Sequence, residues 1–225
     1  MSARESSTQV YNRATMNGAH SPGHPSRILR SFYRHDAVSV ARGLLGQRLV
    51  SYIDKKRTAG VIVETEAYLG AEDKAAHTYG NRRTARNETI WGDGGHMYVY
   101  FVYGMHHCAN VVAGVTGDPA AVLLRALEPE DGLDVMFARR AAAARPVDLC
   151  SGPGKLCQAL GITRTLDGTD LAGSDAVGIE RLRQRAMSAK QIASGPRIGV
   201  AYSQEWQHEP LRFWVRGNPH ISRSG

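Results

Sequence analysis

The segment from Val50 to Leu69, VSYIDKKRTAGVIVETEAYL, does most to narrow what this chain can fold into. Its residues alternate and many are β-branched, so it reads as two strands joined by a turn near Asp54–Lys56. Further strands are predicted over 97–103, 108–115, 121–127, 196–201 and 211–216. Helices are predicted over 132–144 and 154–160, the latter started by Ser151, Gly152 and Pro153. Another helix falls within 31–50, where Val38, Ala41, Leu44 and Leu45 recur at helical spacing. Asp36 is its N-cap and Gly46 its stop. No repeat is visible, and the whole reads as one α+β domain with a mixed, mostly antiparallel curved sheet flanked by helices.

Two regions stand outside that pattern. Residues 1–26 are polar and rich in Ser, Gly and Pro, and read as a disordered tail in front of a domain over 27–225. The loops 71–96 and 163–195 carry the basic runs NRRTARN (81–87) and RLRQR (181–185). Long loops in a compact domain are more often functional than filler.

Charge narrows the partners. Lys and Arg number 28 against 21 Asp and Glu, a formal +7, which favours a polyanion such as nucleic acid or an anionic membrane. The plainer alternative is a soluble protein that happens to be basic. Cys108, Cys150 and Cys157 form no metal or redox motif and read as reduced thiols of a cytoplasmic protein. No apolar run approaches the roughly 18 residues of a membrane helix, and no secretory leader is apparent.

The chemistry-bearing residues fall on strand ends. In 61–68 alternation puts Ile62, Glu64, Glu66 and Tyr68 on one face. Two carboxylates and a tyrosine are unlike a core, although a half-exposed face with solvated glutamates would look the same. His77 follows on the next loop. In 97–104, Tyr98 reads as core, Tyr100 as a pocket wall or core, and Tyr103 beside Gly104 as an exposed wedge or a packed aromatic. The adjacent His106 and His107 point to opposite strand faces, so no metal site is expected, nor any cofactor.

Taken together, IVETEAYLG (62–70), AAH (75–77), YVYFVYGM (98–105), CANVV (108–112), VLLRALEP (122–129), LCSGPGKLCQALGI (149–162) and LRFWVRGNP (211–219) resemble the alkyladenine (3-methyladenine) DNA glycosylase family, from about residue 27 to 222 and in the family's order. The resemblance implies a monofunctional enzyme that flips damaged purines out of double-stranded DNA and hydrolyses the N-glycosidic bond. It implies Glu66 as the general base and Arg125 beside the attacking water. It implies Tyr68, His77 and Tyr100 around the flipped base, Asn110 as the residue that disfavours guanine, and Tyr103 as the wedge. Arg82, Arg83, Thr84 and Arg86, with Ser151, Gly152 and Lys155, match its DNA-facing segments. A monomer is expected, nucleoid-associated in a bacterium and nuclear in a eukaryote. His106 and His107 stand where some relatives have an aromatic, suggesting an altered rear wall of the pocket. Ile90 and Trp91 fall in the region of a second minor-groove contact. Residues 163–195 match poorly, and Glu64 is left unexplained, a structural salt bridge being the role expected of it.

Elementary chemistry is consistent with those roles. A carboxylate can orient and deprotonate water and stabilise oxocarbenium character in the sugar. Stacked tyrosines attract a cationic methylated purine more than a neutral one. Two other functional classes remain: a non-catalytic nucleic-acid-binding module, which has no use for a carboxylate that repels phosphate, and a nucleoside hydrolase, which needs neither an exposed wedge nor an arginine loop.

Overall fold

The structure, a computed structural model, describes residues 26–222. The tail reading of 1–26 therefore lies outside the described residues except at Ser26, whose carbonyl accepts from the Arg181 amide at 2.8 Å. The chain opens with two short helices, α1 (Arg30–Tyr33) and α2 (Ala37–Leu44). Asp36 caps α2 as its sequence suggests, its carboxylate accepting from the Ser39 amide at 2.9 Å. Gly46 then takes φ 79°, a left-handed turn that leads the chain into the sheet.

Strands β1 (Arg48–Ile53) and β2 (Lys56–Tyr68) form the expected hairpin. Asp54 and Lys55 both adopt left-handed φ, 55° and 60°, as a two-residue hairpin loop requires. β3 (Met97–Val102), β4 (His106–Ala113) and β5 (Ala120–Asp131) follow as a meander, and β5 pairs with β2. Helices α3 (Leu133–Arg139), α4 (Pro146–Cys150) and α5 (Pro153–Leu160) come next. The strands β6 (Val177–Glu180), β7 (Ile192–Gly195) and β8 (Arg212–Val215) complete an eight-stranded sheet.

The main path runs β3-β4-β5-β2-β1-β6, and every named pairing is antiparallel. β2 is the axis. Its first half pairs with β1 and its second half, at Glu64–Glu66, with β8. α2 lies on one face, where Thr65 Oγ1 donates to the Ala41 carbonyl at 3.0 Å. Leu44, Leu45, Leu49, Ile62, Leu124, Leu127, Leu156 and Leu160 fill the core beneath it.

Three readings of the sequence need correction. Residues 196–201 form no strand; they are loop leading into a 3-10 turn at Ala201–His208, because their polar groups serve Glu66 and Asp73 rather than a sheet. The 163–195 segment is not all loop: it contributes β6 and β7, each only four residues long. The predicted helix at 132–144 stops at Arg139, and α4 forms behind it.

Candidate active site

Glu66 sits at the centre of an ion network with no solvent exposure. Its Oε2 accepts from the Tyr68 hydroxyl at 2.9 Å and its Oε1 from the Ile198 amide at 2.7 Å. Arg125 Nη1 stands 3.3 Å from the same Oε1. Burial raises the Glu66 carboxyl above the usual carboxylate range; Arg125, the Ile198 amide and the Tyr68 hydroxyl oppose that rise, and Glu64 adds to it. The solvated-glutamate alternative is thus excluded for both acids, since Glu64 is equally buried.

Two irregularities in the β2–β5 ladder make this arrangement. The register shifts between Ile62 and Glu64, so Ile62 packs in the main core instead of sharing the face of the acids. It shifts again between Glu64, paired with Ala126, and Thr65, paired with Leu124. Arg125 is the residue left over at that second bulge, and bulges re-aim side chains. It turns toward both glutamates, Nε 3.3 Å from Glu64 Oε1.

Beside the network lies a cavity lined by Tyr68, His77, Tyr100 and Asn110, joined by Ile90, Tyr98 and Tyr202. All four pocket residues expected from the sequence are therefore brought together. Tyr100 and His77 meet edge to face, with ring centroids 4.6 Å apart. His77 Nδ1 lies 3.0 Å from the Tyr98 hydroxyl. Burial lowers the His77 pKa, and Arg86 and Arg82 lower it further, so the imidazole is held neutral. Burial also pushes Tyr98 up to about 12 and raises Tyr68 and Tyr100. Asn110 is fixed by donating to the Tyr98 carbonyl at 3.1 Å.

A wider cleft of about 310 Å³ adjoins this cavity, sharing Ala76, His77, Tyr98 and Tyr202 with it. Lys74, Arg82, Thr84 and Arg86 line it. Arg83 is turned elsewhere: it pairs with Glu88 and lies 5.2 Å over the Trp91 ring. Tyr103, 81% exposed, stands at the tip of the β3–β4 hairpin, where its φ of 52° and the 66° of Gly104 form the turn. Gly152 precedes α5, and Lys155 Nζ donates to Ser151 Oγ at 3.3 Å. This helix start abuts the same hairpin, since a Cβ on Gly154 would meet the His106 ring at 3.1 Å.

His106 and His107 do not form a rear wall. They line a separate groove with Met105 and Gly154, and the His107 ring packs at a tilt against Phe101, with centroids 4.9 Å apart. Ile90, at 4% exposure, packs against Tyr98, Val112 and Ala121 and lines the aromatic cavity, so it is not a groove contact.

The sequence reading missed several participants. Tyr98, read as core, also orients His77. Asp73 and Arg197 form a wholly buried pair, with contacts of 2.5 and 2.8 Å. Arg197 lies 4.7 Å beneath the Tyr68 ring and donates to the Ala67 carbonyl at 2.9 Å. Asp73 in turn accepts from the Leu69 and Ala75 amides at 3.0 and 2.9 Å. Tyr202 hangs over the cavity with its hydroxyl on the Ala75 carbonyl at 3.1 Å. Asp73 lies in the aperiodic loop 71–96, while Tyr98 and Arg197 lie in stretches that read as strands, so none of them carries a signal of this role. Among the described residues no group of His, Cys, Asp and Glu is arranged to hold a metal, and no helix is long and apolar enough to cross a membrane.

Residues 31–219 match the family model described as methylpurine-DNA glycosylase. A protein of Bacillus cereus (strain G9842) named "Putative 3-methyladenine DNA glycosylase" is 47% identical over 200 residues, covering 86% of this chain and 97% of its own length. A protein of the same name from Bacillus thuringiensis (strain Al Hakam) is 46% identical over the same shares.

Proposed function

This chain belongs to the methylpurine-DNA glycosylase family and is a hydrolase of N-glycosidic bonds in DNA; we propose that it extrudes single alkylated or deaminated purines from the duplex and releases them with water activated by Glu66. The observation that carries the reading is the continuous chain Arg125–Glu66–Tyr68, which joins a buried carboxylate to the wall of an aromatic cavity. Arg125, the Ile198 amide and the Tyr68 hydroxyl favour the ionised form that a base needs, while burial strengthens that base.

Extruding a purine costs roughly a few kcal/mol, less when the pair is already damaged. Tyr103, projecting from the three-residue turn between Val102 and His106, fills the space left in the stack. Arg82, Arg86 and Lys155 contact phosphates on either side, and Asn110 crowds the exocyclic amino group of guanine. In the cavity Tyr68 and Tyr100 stack the base, which favours cationic 3-methyladenine and 7-methylguanine. His77 is held neutral, with the Tyr98 hydroxyl on Nδ1, so it serves neutral hypoxanthine or ethenoadenine as a hydrogen-bond donor rather than as an acid. No lysine lines the aromatic cavity, consistent with simple hydrolysis and no Schiff-base lyase step.

The test is single-turnover base release from duplexes that each carry one of these lesions, with binding measured alongside. Glu66→Gln is expected to lose about 10²-fold or more in release while still binding. Release at the wild-type rate would remove Glu66 from its role. Tyr103→Ala is expected to weaken lesion-duplex binding more than Glu66→Gln does, and unchanged affinity would refute the wedge.

A further inference from the structure

Arg125 is equidistant from two buried acids. Its Nε is 3.3 Å from Glu64 Oε1 and its Nη1 3.3 Å from Glu66 Oε1. Glu64 itself is heavily held. Arg212 Nε donates to its Oε1 at 2.6 Å, the Ser222 amide to its Oε2 at 2.6 Å, and the Ser222 hydroxyl to its Oε1 at 2.9 Å. The same Ser222 hydroxyl accepts from Arg125 Nη2 at 3.2 Å and Nε at 3.4 Å. A salt bridge that only braced β2 against β8 would be complete with Arg212. Neither Arg125 nor the Ser222 contacts are needed for that.

We propose that Glu64 is a positioning residue that competes with Glu66 for Arg125 and thereby sets the strength of the base, with Ser222 holding Glu64 in that contest. The inference rests on Glu66 being the base. At full burial a guanidinium shared between two carboxylates neutralises each only in part. The second charge also acts on Glu66 directly, in the same direction. The other groups facing Glu66 are Tyr68 on its own strand, Tyr100 and Cys108 from β3 and β4, and Arg197, Tyr202 and the Ile198 amide from 197–202; Arg212 faces Glu64. None of these competes for Arg125 as Glu64 does.

The sign follows for two substitutions. Glu64→Gln removes the repelling charge and leaves Arg125 to Glu66 alone, so Glu66 binds its proton less tightly. Ser222→Ala takes a donor from Glu64 and an acceptor from Arg125 at once, so these two pair more closely with each other and Glu66 binds its proton more tightly. The readout is the pH dependence of base release from dimethyl-sulfate-treated duplex DNA under single turnover, with spontaneous depurination subtracted at each pH. The acid limb is expected to move down by about one pH unit in Glu64→Gln and up in Ser222→Ala. A role confined to bracing the fold would lower the amount of active protein and move neither limb. A Glu64→Gln limb that stays or rises overturns the proposal. If that variant does not fold, Ser222→Ala decides, and a limb that stays or falls overturns it. Glu66→Gln separates the two levels: if it releases bases at the wild-type rate, the base assignment fails, whereas an inactive Glu66→Gln with fixed limbs in the other variants sinks only this inference.

Discussion

Asp73 and Arg197 stand 124 residues apart, yet they are held against each other with no solvent exposure on either side chain. Through them the loop that delivers His77 and the loop that delivers the Ile198 amide share one anchor. Removing one partner of a buried pair leaves an uncompensated charge, at a cost of about 3–5 kcal/mol. Arg197→Met is therefore expected to lose that much stability in urea unfolding, and a loss below about 1 kcal/mol would mean that the pair braces nothing. Nothing local announces this pair, because Asp73 sits in a loop without periodicity and Arg197 in a stretch that reads as a strand. Glu66 and Tyr68 were legible, since strand alternation places them on one face and the hydrogen bond between them agrees. Arg125 could not be placed that way. Alternation fails at a bulge, and only the likeness of VLLRALEP to a known family pointed to it.

At the scale of elements, helix α2 shows a local rule that held. Asp36 accepts from the Ser39 amide, and this hydrogen bonding lowers its pKa. Asp36→Ala is expected to cost about 1 kcal/mol. Because the folded-state pKa lies below the unfolded one, the contribution is fully present above the unfolded value and fades as the pH falls through the folded one. Wild type and Asp36→Ala should thus converge in stability at acid pH, and a gap that persists there would mean the cap acts through packing. The hairpin turns were legible for the same kind of reason, since Asp54 and Gly104 are residue types that accept left-handed backbone. The segment PRIGVA misled because it is apolar and β-branched like a strand. Its groups are claimed by the site, a requirement that no propensity records. β6 and β7 were hidden in a polar stretch because each needs only four residues when tertiary contacts support it.

For the whole molecule, the count of 28 Lys and Arg overstates the cations available to DNA. Arg34 is paired with Asp93, Arg48 with Glu130, Arg57 with Asp131 and Arg145 with Asp148. Arg82 and Arg86 line the cleft near the β3 edge, while RLRQR follows β6 at the opposite edge of the sheet. Lesion-duplex affinity should fall steeply with salt, by about 0.9 in log–log slope for each phosphate contact. Arg82→Ala is expected to reduce the slope by about one contact. Arg83→Ala, which removes a side chain committed to Glu88 and Trp91, should leave it unchanged. A flat salt response in the wild type would mean that phosphate contacts do not carry the binding.

The pairing of β2 with β8 has a consequence for how the protein is made. Glu64 and Glu66 lie early in the chain, but Trp214 and Arg212, which pair with them, and Ser222, which grips Glu64, emerge from the ribosome much later. A nascent chain that has passed residue 205 already carries every aromatic wall of the cavity and the partners of Glu66, yet it leaves that edge of β2 unpaired and Glu64 without Arg212 and Ser222. Completion of the clamp on Glu64 therefore waits for β8, and a product ended near residue 205 is expected to hold the pocket with that clamp unformed.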